Sequence, residues 1–338
     1  MEITPSPATQ ALLRLAGFDT EFPYVDRAGL GARVSDVATA VGNAIHAAHG
    51  REVYLGAWPV DAAMVAAMRA VLPEFLDHYA GASLAHALVR FGERDAAVIA
   101  ALHPWDRLGF DWRERGLSGA DVDARIQAAG FDALNAEQRA TVDGWVADPL
   151  TAMGQACNEV PQLLGERIVY GTLRSDDYTP AHDELFTALV GALRPPIDVN
   201  AVFQREDDGP RWVSEGESVL MRADGQVGTT TLPVLGPRDG ARWIVEYELD
   251  GAARSFEAAM AGGTWMDVPA VLAHVDALMR ELGRPERVAQ FAFSRDSGPE
   301  WGFFALHDAA TFAALARDLR WPLVDPRDGA SWSAAAAA

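Results

Sequence analysis

The sequence contains no lysine, and all 28 basic residues among its 338 are arginine. Lysine supplies the amine of Schiff bases, the cation of P-loops and kinase sites, and the base of Ser-x-x-Lys nucleophiles. The absence of lysine therefore excludes every enzyme class that depends on one of these groups.

Cysteine is almost as scarce, since Cys157 is the only one. A single thiol excludes an internal disulfide and any zinc or iron–sulfur site built from cysteines. Cys157 lies in the stretch QACNEVPQLL, whose composition predicts a buried thiol on an apolar helical face, not a nucleophile.

The chain also lacks a hydrophobic run of about 18 residues, the length that would span a bilayer. Its first ten residues, MEITPSPATQ, have neither the basic region nor the apolar core of a signal peptide. We therefore expect a cytoplasmic protein with no membrane association.

The sequence also has few basic residues relative to acidic ones. Its 28 arginines against 48 acidic residues give a formal net charge of −20. Such a surface repels phosphate backbones and anionic lipids and attracts basic proteins. The sequence predicts a basic protein partner and no nucleic acid. It carries no cofactor-binding motif, and we expect no cofactor.

Hydrophobic periodicity divides the chain into two parts. Residues 1–196 read as an irregular, mainly α-helical domain that ends at Pro195 and Pro196. Residues 197–330 change to a period near two and then to two strong helical patterns, which predicts a mostly antiparallel sheet with at least two packed helices. The fold class is α+β, and residues 331–338 read as a disordered or tag-derived tail.

One strand of the second domain, RWIVEYELD, alternates apolar and acidic residues. This alternation predicts that Glu246 and Glu248 share a solvent-facing side of the sheet, with Asp250 in the following turn. A second acidic group in QREDDG contains Glu206, Asp207 and Asp208. We interpret the six acids as a docking face for the basic partner, the ordinary alternative being a solvated sheet face.

Two segments of the helical domain combine histidine with acids. HPWDRLGFDWRERG reads as a loop that offers His103 and Asp106 as an acid/base pair, and RSDDYTPAHDELF offers His182 and Asp183. The structural alternatives are aromatic residues that fill the helical core in the first segment, and acids that cap a helix in the second.

His46 and His49 lie three residues apart on a predicted helix, a spacing that could present two imidazoles to one metal ion. No His-Glu-x-x-His pattern accompanies them, and the alternative is the polar edge of a helix. We predict no metal site and keep these two residues as the one candidate.

The charge, the lack of an assembled catalytic motif and the acidic strand favour a binding protein without catalytic activity. The leading hypothesis is an acidic cytoplasmic protein of bacterial type that sequesters a basic protein partner, as a toxin-neutralising immunity protein does. The alternatives are a hydrolase or metal-dependent enzyme that uses the histidines and acids of the helical domain, and an adaptor subunit of a larger assembly.

Overall fold

The structure is a computed structural model, and it describes most of the chain. The described residues are 2–3, 6–15, 32–33, 41, 62–77, 79–172, 181–206, 212–221, 227–236, 242–261, 265–292, 301–327 and 329–332.

The described helices are α1 Pro7–Leu15, α2 Ala62–Val71, α3 Tyr79–Arg90, α4 Ala96–Ala100, α5 Pro104–Glu114, α6 Gly119–Ala128, α7 Ala136–Ala147, α8 Pro149–Ala152, α9 Ala156–Gln162, α10 His182–Ala192, α11 Val268–Glu281 and α12 Ala309–Asp318. The described strands are β1 Glu2–Ile3, β2 Ala32–Arg33, β3 Ile168–Thr172, β4 Asn200–Glu206, β5 Trp212–Met221, β6 Val227–Gly236, β7 Arg242–Leu249, β8 Ala252–Ala261, β9 Trp265–Met266, β10 Glu286–Phe291, β11 Trp301–Asp308 and β12 Leu323–Val324.

The chain forms two compact units. The first comprises Met1–Ala120 and Ala136–Ala156, and the second comprises Asp121–Asn135 and Cys157–Ala338. The predicted boundary at Pro195–Pro196 lies inside the second unit, between α10 and β4. The reason is long-range pairing, since β3 joins β11 in one antiparallel sheet.

The described part of the first unit is mainly helical and also contains the short antiparallel pair β1–β2. Polar side chains begin two of its short helices, since Asp95 accepts a hydrogen bond from the Val98 amide and Asp148 accepts one from the Leu150 amide. These caps satisfy amides that have no partner within the helix. Buried residues of α1, α2, α3 and α4 form one hydrophobic cluster that includes Met68, Leu84 and Leu88.

The segment that the sequence presents as a loop at residues 103–116 is mostly helix α5, so that expectation is wrong. Pro104 occupies the first helical turn, where its missing N–H is not needed. Gly109 permits a close approach to the following helices, because a Cβ there would lie 3.0 Å from the Pro149 Cα and the Trp145 carbonyl oxygen. Trp105 and Trp112 are buried, as the structural alternative for this segment predicts.

In the described part of the second unit, the strands form two four-stranded antiparallel sheets and the two-stranded antiparallel sheet β5–β6. The strand order is β12-β10-β11-β3 in one sheet and β4-β7-β8-β9 in the other. Helices α10 and α11 contribute Phe186, Leu189, Val275 and Met279 to a hydrophobic cluster that also takes in Phe304 from the first sheet and residues of the second. Every strand pairing among the described residues is antiparallel, and the predicted α+β class is confirmed.

The end of the described chain belongs to this unit. Trp332 is buried and its ring lies 5.5 Å from the ring of Phe312 on α12. Ser331 forms an isolated bridge with Val324. Residues 331 and 332, which the sequence assigns to a tail, are therefore part of the folded unit, and residues 333–338 lie outside the described part.

Candidate functional site

The outer face of the β4–β7–β8 sheet is the strongest candidate for a binding surface. On β7, Val245, Tyr247 and Leu249 are buried, whereas Glu246 and Glu248 point to the other side, as strand alternation requires. The register places Phe203 of β4 opposite Glu246, and Glu246 opposite Ser255 of β8. Because directly opposed residues share a face, these side chains meet on the outer side of the sheet.

A groove of about 370 Å³ lies on this surface. It is open to solvent, and its lining combines small side chains with two aromatic residues, two carboxylates and the guanidinium of Arg254, which is paired with Glu281. We call it the sheet groove, and it is lined by Ala201, Phe203, Glu246, Tyr247, Glu248, Ala253, Arg254 and Ser255.

Phe203 is the apolar wall of the sheet groove. The residue is 49% exposed. Its position follows from a β-bulge, since the β4–β7 register shifts between Asn200 and Phe203, and Ala201 has a φ of 50°. The bulge thus sets the face on which Phe203 lies.

The charges on the outer face are only partly compensated. Arg205 pairs with Glu246 at 3.2 Å, and Arg242 pairs with Glu257 at 3.4 Å. Glu248 and Asp250 form no ion pair with any described residue, and both are exposed. The negative charge available to a ligand is therefore concentrated at the Glu248 end of the sheet groove.

Among the six predicted docking acids, the four that the structure describes do not share one face. Glu246 and Glu248 line the sheet groove, and Asp250 follows in the turn with a φ of 51°. Glu206 lies opposite Trp243, so its side chain points to the other side of the sheet. Asp207 and Asp208 lie outside the described residues, as do His46 and His49 of the metal candidate.

His103 and Asp106 have structural roles in the first unit. His103 precedes α5, and its Nδ1 accepts a hydrogen bond from the Trp105 amide at 3.4 Å. Asp106 is buried and its Oδ1 accepts the Gly154 amide at 3.1 Å. His103 therefore caps helix α5, and Asp106 fixes the backbone turn at Gly154. These structural contacts explain the presence of both residues without a role in binding a substrate.

His182 is fully buried at the first position of α10. Its Nε2 accepts the Asp267 amide at 3.1 Å, which leaves the proton on Nδ1. Burial lowers the pKa of His182 to about 4, and interactions with Asp267 and Gln204 raise it by less. The imidazole is neutral at physiological pH, and its one lone pair is already used.

Asp183, the second member of that candidate pair, serves the backbone of its own helix. Its carboxylate accepts the Glu184 amide at 3.0 Å, and its carbonyl oxygen accepts the Thr187 hydroxyl at 2.7 Å. An acid in the first turn also complements the helix dipole. Asp183 therefore interacts with the first turn of α10, although no side chain caps the start of this helix.

Sequence reasoning missed a cluster on the inner side of the second sheet. The Tyr247 hydroxyl and His274 Nε2 are 2.8 Å apart, and the His274 ring stacks on Phe256 at 4.3 Å. Burial lowers the pKa of His274 and raises that of Tyr247. The signal was present, since His274 is three residues after Val271 and four before Leu278 on the apolar side of α11.

A second missed cluster surrounds the buried Asp276 of α11. Its carboxylate lies 2.9 Å from Arg280, 3.4 Å from Arg327 and 3.9 Å from Arg287. These arginines belong to α11, to the turn after β12 and to β10. The carboxylate therefore ties three parts of the second unit together.

Two further properties concern metals and membranes. Among the described residues, no group of three or more histidine, cysteine, aspartate or glutamate side chains is placed to hold a metal ion. In the same part of the chain, no helix has the length and apolar character needed to span a bilayer.

Comparison of the chain with protein-family models, with curated proteins and with solved structures gives no match.

Proposed function

We propose that this chain is a non-enzymatic cytoplasmic protein that binds and sequesters a basic protein partner, in the manner of a toxin-neutralising immunity protein. The sheet groove is the observation that carries the proposal. It joins an exposed aromatic residue to the carboxylate of Glu248, which has no ion-pair partner among the described residues. Interfaces commonly use an aromatic anchor within a polar rim.

The distribution of charge supports the same surface. The second unit, which contains the sheet groove, carries more than twice the excess negative charge of the first. A surface of one sign raises the rate of association with a partner of opposite sign. A basic protein is therefore steered towards the unit that holds the sheet groove.

The geometry gives less support to the enzyme alternative. Catalytic acids and bases must reach a substrate proton within hydrogen-bonding distance. His182 is buried with Nε2 occupied, and His103 and Asp106 satisfy backbone amides of the first unit. The adaptor alternative would need a large apolar patch, whereas the exposed large apolar residues of the described part lie on separate elements.

Affinity capture from the native host, with the whole chain as bait, tests the proposal. We expect one basic protein to be captured at about 0.05 M salt, with an association rate at least about tenfold slower at 0.5 M salt, because the attraction is screened. Mass spectrometry identifies the protein, and surface plasmon resonance measures the rate.

The bait variant Glu248→Gln/Asp250→Asn should capture less of this protein. Glu114→Gln/Glu137→Gln is the matched control, since it removes two exposed charges from the first unit. Recovery of the bait alone, or equal capture by the variant, the control and the wild type, would contradict the proposal.

A further inference from the structure

We infer that the sheet groove holds an arginine side chain of the basic partner, with the guanidinium against Phe203 and paired with Glu248. This inference rests on the proposed function and specifies the chemistry of that site. Three observations lead to it: the size of the groove, its charge and the exposed aromatic ring.

The sheet groove is large enough to admit an inserted side chain. At about 370 Å³ it lies at the small end of the range for ligand pockets. Ala201, Ala253 and Ser255 leave space between Phe203 and the two glutamates. A side chain that enters there is flanked by an aromatic face and by carboxylates from a single strand.

The charge of the sheet groove selects a cation, because the guanidinium of Arg254, which also lines the groove, is bound by Glu281 at 2.7 and 2.8 Å. Glu248 has no ion-pair partner among the described residues, and Glu246 shares its charge with Arg205 alone within that part of the chain. The Arg205–Glu246 pair also shows that a guanidinium can lie on this face and reach a carboxylate at 3.2 Å. A partner's arginine that binds Glu248 would form a second arginine–glutamate ion pair on this face.

The exposed ring favours arginine over lysine. A guanidinium is planar and weakly hydrated, so it stacks on an aromatic face while its edge binds a carboxylate. An ammonium group is compact and strongly hydrated, and it loses more hydration on leaving water. Phe203 therefore provides the preference for arginine, and Glu248 provides attraction for either cation.

The test compares hexa-arginine and hexa-lysine peptides, which carry equal charge, by isothermal titration calorimetry with the full chain. We expect the wild type to bind hexa-arginine about threefold more tightly than hexa-lysine. Phe203→Leu keeps an apolar side chain at an exposed position and should reduce this ratio to about one. Glu248→Gln should weaken both peptides by about fivefold and leave the ratio unchanged.

Glu257→Gln is the matched control, because Glu257 lies on the same face but outside the groove and is paired with Arg242. It should alter neither the ratio nor the affinities by more than about twofold. An unchanged melting temperature verifies that each variant is folded.

Equal affinity of the wild type for the two peptides, or a preference that persists in Phe203→Leu, would overturn the inference. Its failure can be separated from failure of the proposed function. If a basic partner is captured but the chain shows no preference for hexa-arginine, only the inference is refuted. If the chain prefers hexa-arginine but captures no partner, the sequestering function is refuted.

Discussion

Replacing Trp112 by alanine is expected to lower the free energy of unfolding of the first unit by about 3–5 kcal/mol. The Trp112 side chain is completely buried on α5, and its ring centroid lies 6.1 Å from that of Trp145 on α7. The truncation removes a large apolar surface and leaves a cavity that rigid helices fill only in part.

Urea denaturation followed by far-ultraviolet circular dichroism measures this loss. The signal must be fitted with separate transitions for the two units, because a two-unit chain need not unfold in one step. Glu114→Ala is the control, since Glu114 is exposed on the same helix and its replacement should cost less than about 0.5 kcal/mol. If Trp112→Ala lowers the free energy of unfolding by less than about 1 kcal/mol, helix α5 is not packed into the core of the first unit.

The second large effect is a loss of stability on acidification that depends on His182. The pKa of this residue is about 4 in the folded chain, against an ordinary value of 6.5. The unfolded chain therefore binds the proton more readily between these values. The stabilisation is complete above about pH 6.5 and is lost as the pH falls towards 4.

From the difference in the pKa of His182 between the folded and unfolded chain, the free energy of unfolding should fall by about 2 kcal/mol between about pH 7 and pH 5. His274, whose pKa is also lowered, acts in the same direction. The wild type should therefore be compared with His182→Gln, which keeps a polar side chain but cannot titrate. The informative quantity is the difference between the two proteins in the unfolding free energy that is lost on acidification.

Urea midpoints for the second unit, measured at several pH values in both proteins, give this difference. The variant should start less stable at about pH 7 and should lose about 2 kcal/mol less than the wild type by pH 5. Parallel pH profiles would show that His182 is not buried as a neutral imidazole.

The sequence predicts the parts of this fold that depend on local periodicity. The α11 stripe from Val271 to Met279 and the buried set on β7 are visible in the pattern of apolar residues. Helix α5 was missed because Gly109 and a high charge density are typical of loops. The close approach at Gly109 explains the glycine, but it involves residues 36 or more positions later in the chain.

The same distinction applies to the candidate site. Alternation is enough to assign Glu246 and Glu248 to the outer side of β7. The exposure of Phe203 depends on the bulge at Ala201, and the opposite orientation of Glu206 depends on pairing with β7. The Arg205–Glu246 pair likewise exists only once the two strands are aligned.

Sequestration is the central claim, and inhibition of the captured partner tests it most directly. The partner's own activity should be measured after it is mixed with this chain at equimolar concentration, well above the dissociation constant. We predict that the wild type abolishes activity at low salt, and that at least about fivefold more of Glu248→Gln/Asp250→Asn is needed for half-inhibition. Full partner activity in the presence of equimolar wild-type chain would contradict the account.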